Sequence, residues 1–473
     1  MNQAGSEIVR KAARVVIIGG GPGGYEAATV AARLGAHVTV IEHNGLGGSA
    51  VLTDVVPSKT LIATAEWLSA TEQARYLGIE IGGSHPQVNM NAVNNRVRQL
   101  ASQQSADIQA ALRSAGVNII AGRGRLTGKF NEDGSREIQV HKNDGTATWL
   151  VADVVIVATG ARPRELHTMQ PDGERIFTWK QLYNLKEIPP RLIVVGSGVT
   201  GAEFAGAYQV LGSEVTLISS RDQLLPGEDQ DAAALVEKTF TRRGMKVLSR
   251  ARAAAVKTVP NGVVVTLEDG REISGTHCLV AVGAIPNTTD LGLAEAGVQT
   301  DKNGKILVDP MSRTSAFGVY AAGDCTASLP LASVAAKQGR TAVMHALGDA
   351  VEPLDLRKMA ATIFTIPEVA TVGLSEAAAT AKGLAYKVEK LPLSRNPRAK
   401  MQGITEGFVK LLCLRESKEI LGGVIVGPRA SELIFTITLA ITKRLSVDEI
   451  SGAFTVYPSL SGTVAEVARS LRS

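Results

Sequence analysis

The sequence predicts an α/β fold with two similar domains built from strand–turn–helix units, followed by a separate α+β domain. The first observation is an internal duplication, because an apolar run and a glycine cluster at residues 15–24 recur at 192–201. The second is a change of pattern after residue 350, where strand-like runs at 407–412 and 421–426 alternate with helical segments and no glycine cluster recurs. A chain of 473 residues is also long enough for about three domains.

Composition and charge exclude several classes of protein. Apolar residues make up 45% of the chain and charged residues 20%, which is typical of globular proteins and not of disordered ones. No apolar stretch is long enough for a membrane span, and the N-terminal segment lacks the layout of a signal peptide. A net charge of +5 with interspersed signs does not indicate a nucleic-acid partner. The three cysteines are far apart, so we expect a cytoplasmic protein with no metal site and no disulfide framework.

Each copy of the duplication has the layout of a Rossmann-like dinucleotide-binding unit. A strand leads directly into Gly-x-Gly-x-x-Gly, with glycines at 19, 21 and 24 in the first copy and at 196, 198 and 201 in the second. In this motif the first glycine permits a tight turn, the second lets the backbone approach a pyrophosphate, and the third allows close helix–strand packing. The amides at the start of the helix then face the phosphates. Two bound dinucleotides are therefore expected.

The segments that follow each glycine motif are also alike. A hairpin signal at 143–145, and another at 268–270, leads into an apolar strand that ends in glycine, at Gly160 and Gly283 respectively. Between the copies, residues 60–115 are predicted to form long helices, with Leu61, Ile62, Ala65 and Leu68 at helical spacing.

The two copies differ where the ribose of a dinucleotide would be recognised. The first copy has Glu42 after its second strand, whereas the second has Ser219, Ser220 and Arg221 at the matching place. A carboxylate favours a free 2′-hydroxyl, while hydroxyls and a guanidinium can accommodate a 2′-phosphate. The second site is therefore expected to take NADPH at least as readily as NADH; the alternative is that Arg221 is a solvated surface residue.

Further motifs carry a resemblance to a known family. They are Gly47-Gly48 through Pro57-Ser58-Lys59, Ala158-Thr159-Gly160, and Ala321-Ala322-Gly323-Asp324. Together with the two glycine motifs they resemble the flavoprotein disulfide reductases, the class I pyridine nucleotide-disulfide oxidoreductases. The resemblance extends from residue 14 to 470, and the segments 364–370 and 427–428 match the interface domain of that family.

This resemblance implies FAD, bound tightly but not covalently, on the first copy and NADPH or NADH on the second. It implies a FAD-binding domain at 14–160 that returns at 277–350, an NAD(P)-binding domain at 161–276, and a dimerisation domain at 351–473 that builds a homodimer or a tetramer. The implied FAD-binding residues are Gly19, Gly21, Pro22, Gly24, Glu42, Gly48, Ser49, Lys59, Gly122, Thr159, Gly160, Gly323, Asp324, Leu331, Ala332 and Ser333. The implied NAD(P)-site residues are Gly196, Gly198, Val199, Thr200, Gly201, Glu203, Ser219, Ser220, Arg221 and Gly283. Lys59 matches the lysine beneath the flavin, and Glu203 matches its ion-pair partner.

The departures from the family pattern concern its sulfur chemistry. The family has a redox disulfide in the segment after Gly48, but Ala50 and Val55 occupy the positions of its two cysteines. Tyr457 replaces the family's C-terminal histidine, and Gly462 replaces its glutamate. Thiol–disulfide exchange is therefore chemically impossible at this site. A tyrosine can still donate a hydrogen bond, but it does not titrate near neutrality as imidazole does.

The function predicted from these features is that of a FAD-dependent NAD(P)H:quinone oxidoreductase. A hydride would pass from NAD(P)H to FAD, and two electrons would then pass to a quinone with no redox-active disulfide. We expect Ala50 and Val55 to form an apolar wall for the quinone, Tyr457 to donate a hydrogen bond to it, and Lys59 to stabilise negative charge on the flavin. The chain is similar to dihydrolipoamide-dehydrogenase-like quinone reductases that lack the redox cysteines.

Two alternatives stay open at the level of sequence. A soluble pyridine nucleotide transhydrogenase would need only a flavin and two nicotinamide nucleotides, and such relatives resemble this chain around Tyr457-Pro458. A non-catalytic flavoprotein that scaffolds a multienzyme complex would keep both glycine motifs for folding alone.

Overall fold

The α-helices include those predicted after the two glycine motifs, within residues 60–115 and in the C-terminal region. The computed structural model describes residues 12–80 and 87–472. Its α-helices, in chain order, are α1 (Pro22–Arg33), α2 (Gly48–Leu52), α3 (Val55–Gln73), α4 (Met90–Ser114), α5 (Val199–Leu211), α6 (Gln230–Arg242), α7 (Ala332–Ala346), α8 (Glu376–Ala381), α9 (Pro397–Met401), α10 (Ala430–Lys443), α11 (Val447–Gly452) and α12 (Gly462–Ser470). Short 3₁₀ turns are at Ala74–Leu77, Trp179–Asn184, Leu356–Lys358 and Leu393–Arg395.

Most of the strands are short, and many of them are rich in valine and isoleucine. In chain order they are β1 (Arg14–Ile18), β2 (His37–Glu42), β3 (Asn118–Phe130), β4 (Arg136–Lys142), β5 (Ala147–Ala152), β6 (Val154–Val157), β7 (Ala161–Pro163), β8 (Ile176–Phe177), β9 (Arg191–Val195), β10 (Glu214–Ile218), β11 (Lys246–Leu248), β12 (Ala253–Val259), β13 (Gly262–Leu267), β14 (Glu272–Gly275), β15 (His277–Val280), β16 (Ala284–Pro286), β17 (Val319–Ala321), β18 (Ala361–Ile363), β19 (Glu368–Gly373), β20 (Tyr386–Pro392), β21 (Phe408–Leu414) and β22 (Ile420–Gly427).

The chain divides into two compact units. The first comprises the chain up to Val56 together with Gln99–Arg162 and Ala284–Leu354. The second comprises Pro57–Arg98, Pro163–Gly283 and the chain from Asp355 onward. The first unit therefore contains the first glycine motif, and the second unit contains the other one.

The first unit is built on a sheet in the order β17-β6-β1-β2-β3-β4-β5. The strands from β17 to β3 run parallel, and β1 is buried on both of its faces, as expected for a strand that has helices on either side. The predicted hairpin at 143–145 joins β4 to β5. Helices α1 and α7 pack closely at Gly23 and Gly339, where a Cβ on Gly339 would lie 2.0 Å from the carbonyl oxygen of Gly23.

The second unit has its own parallel sheet in the order β11-β10-β9-β15-β8. The predicted hairpin at 268–270 joins β13 to β14, next to this sheet in the chain. Strand β15 pairs with β9, so the sheet includes the chain up to Val280. Strand β15 thus lies beside β9 as β6 lies beside β1 in the first copy. The predicted domain boundaries stay predictions.

The helices predicted for residues 60–115 are α3 and α4, with residues 81–86 outside the described part of the chain. Leu61, Ile62 and Ala65 are at most 2% exposed in the core of the second unit, and Leu68 packs against that core. The helical spacing in the sequence therefore identified the buried face of α3.

The C-terminal segment of the second unit is an antiparallel sheet in the order β18-β19-β22-β21-β20. Helices α10 and α12 bury apolar residues against it, including Ile434, Ile437 and Val467. This arrangement confirms the predicted mixed α+β character of the region.

Candidate active site

The two glycine turns have nearly the same backbone. Gly19 and Gly196 have φ angles of +105° and +114°, in the left-handed region that favours glycine. A Cβ on Gly19 would lie 2.3 Å from the carbonyl oxygen of Ala158, and a Cβ on Gly196 would lie 2.2 Å from that of Ala281. Both turns thus require glycine for the same steric reason. The first turn follows β1 and contacts the residue after β6, and the second follows β9 and contacts the residue after β15.

The third glycine of each motif permits the helix to lie against the turn. A Cβ on Gly24 would be 1.9 Å from the carbonyl oxygen of Gly19, and a Cβ on Gly201 would be 1.9 Å from that of Gly196. No side chain larger than hydrogen fits at either place without a backbone shift. Helix α1 can therefore begin within a few residues of the end of β1, and helix α5 within a few residues of the end of β9.

The middle glycines lie beside free space. A Cβ on Gly198 would meet nothing within 4 Å, and one on Gly21 would meet only the Cα of Gly48 at 4.0 Å. Gly21 and Gly198 cap α1 and α5 without a side-chain hydrogen bond, so the first amides of both helices have no side-chain cap. Pro22 occupies the first turn of α1, where its missing N–H costs nothing. At the start of α5, Val199 is 43% exposed and Thr200 is half-buried.

Glu42 lies at the end of β2 and is tied to the first glycine turn. Its two carboxylate oxygens accept hydrogen bonds from the amides of Gly20 and Asn44, each at 2.7 Å. Gly122 follows Ala121, the register partner of Glu42 on β3, and a Cβ on Gly122 would lie 2.5 Å from the carbonyl oxygen of His141. Glycine at 122 is thus explained by strand packing at the same edge of the sheet.

Ser219 follows β10 and lies next to the second glycine turn, and its role toward the nucleotide stays a prediction. Its side chain is fully buried, and its hydroxyl lies 2.7 Å from that of Ser197 and accepts a hydrogen bond from the amide of Arg221. Ser219 therefore orders the loop, whereas Ser220 and Arg221 are exposed. Gly283, which follows β15, also borders open space.

Sequence reasoning missed Arg250, which lies beside Arg221. The amide of Arg250 donates to the carbonyl of Arg221 at 2.9 Å, and the Arg250 side chain forms an ion pair with Asp222 at 2.8 Å. Arg250 has a φ of +54°, an uncommon value for a residue with a side chain, and no sequence signal marks this position. Two exposed guanidinium groups therefore lie at the carboxyl edge of the second sheet: that of Arg221 after β10 and that of Arg250 after β11.

The segment after the first glycine turn folds back onto it. A Cβ on Gly48 would lie 2.8 Å from the Cα of Gly21, so the start of α2 is in close contact with the start of α1. Ser49 lies in the first turn of α2, and its hydroxyl is 2.9 Å from that of Thr53. Ala50 is half-buried on the same helix, and Val55 at the start of α3 is 36% exposed.

The loop that follows β6 in the first unit contains Thr159 and Gly160. The hydroxyl of Thr159 donates to the carbonyl of Asn287, whose side-chain amide donates back to the carbonyl of Thr159. The amide of Asn287 also donates to the carbonyl of Gly160 at 2.9 Å. Asn287 thus fixes this loop, and no motif in the sequence pointed to it.

Asp324 is a half-buried carboxylate between β17 and α7. Its side chain has no hydrogen-bond partner among the residues that the structure describes, while the preceding Gly323 donates its amide to Gln338. Burial raises the pKa of Asp324, and the positive charge of Lys305 offsets part of that effect. Leu331, Ala332 and Ser333 form the start of α7, which has no side-chain cap.

Lys59 and Glu203 form an ion pair in the second unit, as the resemblance implied. The Nζ of Lys59 lies 2.7 Å from Oε2 of Glu203, whose side chain is only 4% exposed. The other carboxylate oxygen accepts a hydrogen bond from the amide of Phe364 at 2.9 Å. The ring of Phe364 lies beside the ammonium, 5.0 Å from its centroid to Nζ.

Within the described residues, no contact links Tyr457 to Lys59 or Glu203. It is 80% exposed between α11 and α12, next to Phe454 and Val456, which are also exposed. Gly462 is the first residue of α12, and its amide donates to the hydroxyl of Ser459.

The three cysteines are free thiols and all are buried. Burial raises the pKa of Cys278 and Cys413, and it raises the pKa of Cys325 to about 11. Each is therefore a neutral thiol near pH 7, and none lies in the segment from Gly48 to Val55. Among residues 12–80 and 87–472, no group of three His, Cys, Asp or Glu side chains could hold a metal ion. No helix in those same ranges is both long and apolar enough to cross a bilayer.

The first unit fits a flavin dinucleotide on two observations of its own. The amides at the start of α1 have no side-chain cap and border a gap that a side chain on Gly21 or Gly48 would narrow. The carboxylate of Asp324 has no hydrogen-bond partner within residues 12–80 and 87–472, and it can accept a hydrogen bond from a ligand hydroxyl. Together with the second glycine turn at residues 196–201 and the Lys59–Glu203 ion pair, these features indicate that the protein is a dinucleotide-dependent oxidoreductase.

Comparison with known families makes this assignment specific. Residues 13–339 match the pyridine nucleotide-disulphide oxidoreductase family, and residues 359–468 match the dimerisation domain of that family. The chain belongs to the pyridine nucleotide-disulphide oxidoreductases, and its cofactors are FAD and NAD(P)H. The dimerisation domain supports a homodimer.

Individual relatives extend along almost the whole chain. An NAD(P)H dehydrogenase (quinone) from Mycobacterium tuberculosis is 50% identical over 461 residues, which cover 97% of this chain and 94% of the relative. A dihydrolipoyl dehydrogenase from Staphylococcus aureus is 34% identical over 456 residues, covering 96% and 95% of the two chains. The crystal structure of LpdA from Mycobacterium tuberculosis matches with a TM-score of 0.93 at 49% identity, covering 97% of this chain and 99% of that one.

Proposed function

We propose that this flavoprotein is an NAD(P)H:quinone oxidoreductase in which electrons leave the flavin with no redox disulfide. The observation that carries the proposal is the combination of Ala50 and Val55 in the segment after Gly48 with two complete glycine turns and an intact Lys59–Glu203 pair. When bound, FAD would accept a hydride from NAD(P)H and deliver two electrons to a quinone. The name of the 50% identical relative supports the same reaction.

The residues of the first unit hold the flavin in this proposal. The glycine turn and the start of α1 bind the pyrophosphate, Glu42 accepts hydrogen bonds from a ribose, and Asp324 accepts one from another hydroxyl of the cofactor. Lys59, held by Glu203, supplies a positive charge that stabilises negative charge developing on the flavin. Ala50 and Val55 offer methyl groups against which a flat, apolar quinone can lie.

Two further roles belong to the proposal. Ser220, Arg221 and Arg250 bind the 2′-phosphate of NADPH, because two guanidinium groups beside a hydroxyl suit a phosphate. Tyr457 donates a hydrogen bond to a quinone oxygen in the homodimer. Three thiols kept reduced and buried fit a cytoplasmic enzyme.

The test is anaerobic double-mixing stopped flow with the FAD-loaded protein. NADPH first reduces the flavin, and the product is then mixed separately with a naphthoquinone, with lipoamide and with an NAD⁺ analogue. We expect rapid reoxidation by the naphthoquinone and none above background by lipoamide.

Either of two other results would contradict this proposal and identify a different function. Fast reoxidation by the NAD⁺ analogue, without reaction of the quinone, would identify a transhydrogenase. A flavin that NADPH fails to bleach would identify a non-catalytic flavoprotein.

A further inference from the structure

We infer that Phe364 is a positioning residue for Lys59, and this inference rests on the proposed function. Phe364 contacts both members of the ion pair with different groups. Its amide donates to Oε1 of Glu203 at 2.9 Å, and its ring centroid lies 5.0 Å from Nζ of Lys59. One residue therefore fixes the anion through its main chain and flanks the cation with its side chain.

The ion pair needs such a partner because it is unequally buried. The side chain of Glu203 is 4% exposed and has both oxygens occupied, by Lys59 and by Phe364. The side chain of Lys59 is 26% exposed, so its long stem has alternative rotamers that reach solvent. An aromatic face within about 6 Å of an ammonium attracts it electrostatically and restricts those alternatives.

The sequence and local fold explain why this residue can reach the pair. Phe364 follows β18, its ring is half-buried, and it packs against the core that contains Leu61 and Ile62 of α3. The same core holds Phe204, the neighbour of Glu203 on α5. The ring is thus held by core contacts as well as by its main chain, which makes it a fixed support for the ammonium.

The ring and the amide can be separated by substitution. Phe364→Leu keeps the main-chain hydrogen bond to Glu203 and removes the aromatic face, whereas Phe364→Tyr keeps that face. We expect Phe364→Leu to slow reduction of bound FAD by NADPH about fivefold, the effect of losing a cation–π contact at a partly exposed site. Phe364→Tyr should restore the rate to within about twofold of the wild type.

A double-mutant cycle distinguishes positioning of Lys59 from simple packing. In a Lys59→Met background, where there is no ammonium to attract, Phe364→Leu should change the reduction rate less than about twofold. The matched control is Phe408→Leu, since the ring of Phe408 lies 5.5 Å from Nζ of Lys390, a lysine that the site does not use. That control should leave the rate of flavin reduction unchanged.

The outcomes separate this inference from the proposed function. If wild-type flavin is not reduced by NADPH at all, the proposed function fails. If the wild type is reduced normally but Phe364→Leu has no effect, or the same effect with and without Lys59, the positioning role alone is wrong. Full FAD occupancy of each variant, read from its visible spectrum, excludes loss of the cofactor as the cause.

Discussion

At the scale of single residues, the second copy has Ser219 where the first has Glu42, and the positively charged Arg221 follows two residues later. We predict that Arg221→Ala raises the KM for NADPH about tenfold, because a charge-assisted hydrogen bond to the 2′-phosphate is lost. The KM for NADH should stay within about twofold, since NADH lacks that phosphate. Steady-state kinetics with both nucleotides and a naphthoquinone measure the difference.

The control for this substitution is Arg252→Ala, an exposed arginine whose closest carboxylate is Glu268 at 3.7 Å. It should leave both KM values unchanged. An equal rise for NADH and NADPH in Arg221→Ala would show that this arginine does not read the 2′-phosphate.

The cysteines give a second prediction at this scale. A thiol with a raised pKa stays protonated until the pH approaches that value, and the pKa of Cys325 is raised to about 11. Treatment with a maleimide at pH 7 should therefore leave the quinone reductase activity intact, with little labelling of the folded protein. Rapid labelling of one cysteine with parallel loss of turnover would contradict this.

Residue roles were only partly predictable from the sequence. The Lys59–Glu203 pair followed from the resemblance, and the structure contains it. The burial of Ser219 could not be foreseen, because it depends on Ser197 lying opposite across the turn. Asn287 and Arg250 carry no motif, and only the folding of distant segments brings them to their loops.

At the scale of elements, the two strand–turn–helix units allow a matched comparison. We predict that Gly24→Ala yields protein with little bound FAD, because the new Cβ would lie 1.9 Å from the carbonyl oxygen of Gly19. Gly201→Ala has the same clash in the second copy, so it should keep FAD but lose reduction by NADPH. The visible spectrum and stopped-flow reduction distinguish the two.

Two controls accompany this pair. Gly452→Ala, whose Cβ would meet nothing within 4 Å, should change neither property. Dithionite should still reduce the flavin of Gly201→Ala. If both glycine variants lost FAD alike, the assignment of one dinucleotide to each copy would be wrong.

A buried charge cluster joins α6 and α8 to β21. The side chain of Lys410 is 2% exposed and lies within 2.9 Å of carboxylates from Asp229, Asp231 and Glu376. Burial alone would lower the pKa of Lys410, but the hydrogen bonds to these carboxylates raise it above its usual range. A raised lysine pKa stabilises the fold at all pH values below the unfolded pKa, so the contribution is complete at pH 7.

We predict that Lys410→Met lowers the free energy of unfolding by about 3 kcal/mol, because it leaves carboxylates without their cation. The value is at the lower end of the range for buried pairs because Asp231 and Glu376 are 40% and 39% exposed. Urea unfolding at pH 7 measures it. Lys390→Met, which removes a 44% exposed partner of Asp231, should cost less than about 1 kcal/mol. Equal losses in the two variants would contradict the role of burial.

Elements were more predictable than residues because their signals are local. The hairpins at 143–145 and 268–270, the buried face of α3 and the C-terminal strands all follow from short-range patterns. The place of β15 beside β9 was not predicted, since strand order depends on pairing between segments that are far apart in the chain. The same holds for Lys410, whose carboxylate partners come from separate helices.

At the scale of the whole molecule, family membership defines the cofactors but not the electron acceptor. Relatives similar over nearly the full chain include both an NAD(P)H dehydrogenase (quinone) and dihydrolipoyl dehydrogenases. The fold is thus shared by enzymes with different names, and the acceptor has to be argued from the site. In this chain Ala50 and Val55 carry no sulfur, so no disulfide can form between residues 50 and 55 to relay electrons from the flavin.

The absence of a redox disulfide is tested most directly by counting the electrons that the protein takes up. An anaerobic titration of the FAD-loaded protein with dithionite, followed by the visible absorbance of the flavin, gives the number of electrons taken up per FAD. A flavin acting alone takes up two, whereas a flavin coupled to a redox disulfide takes up four. We predict two electrons per FAD; an uptake of four would show a second redox centre and contradict the account.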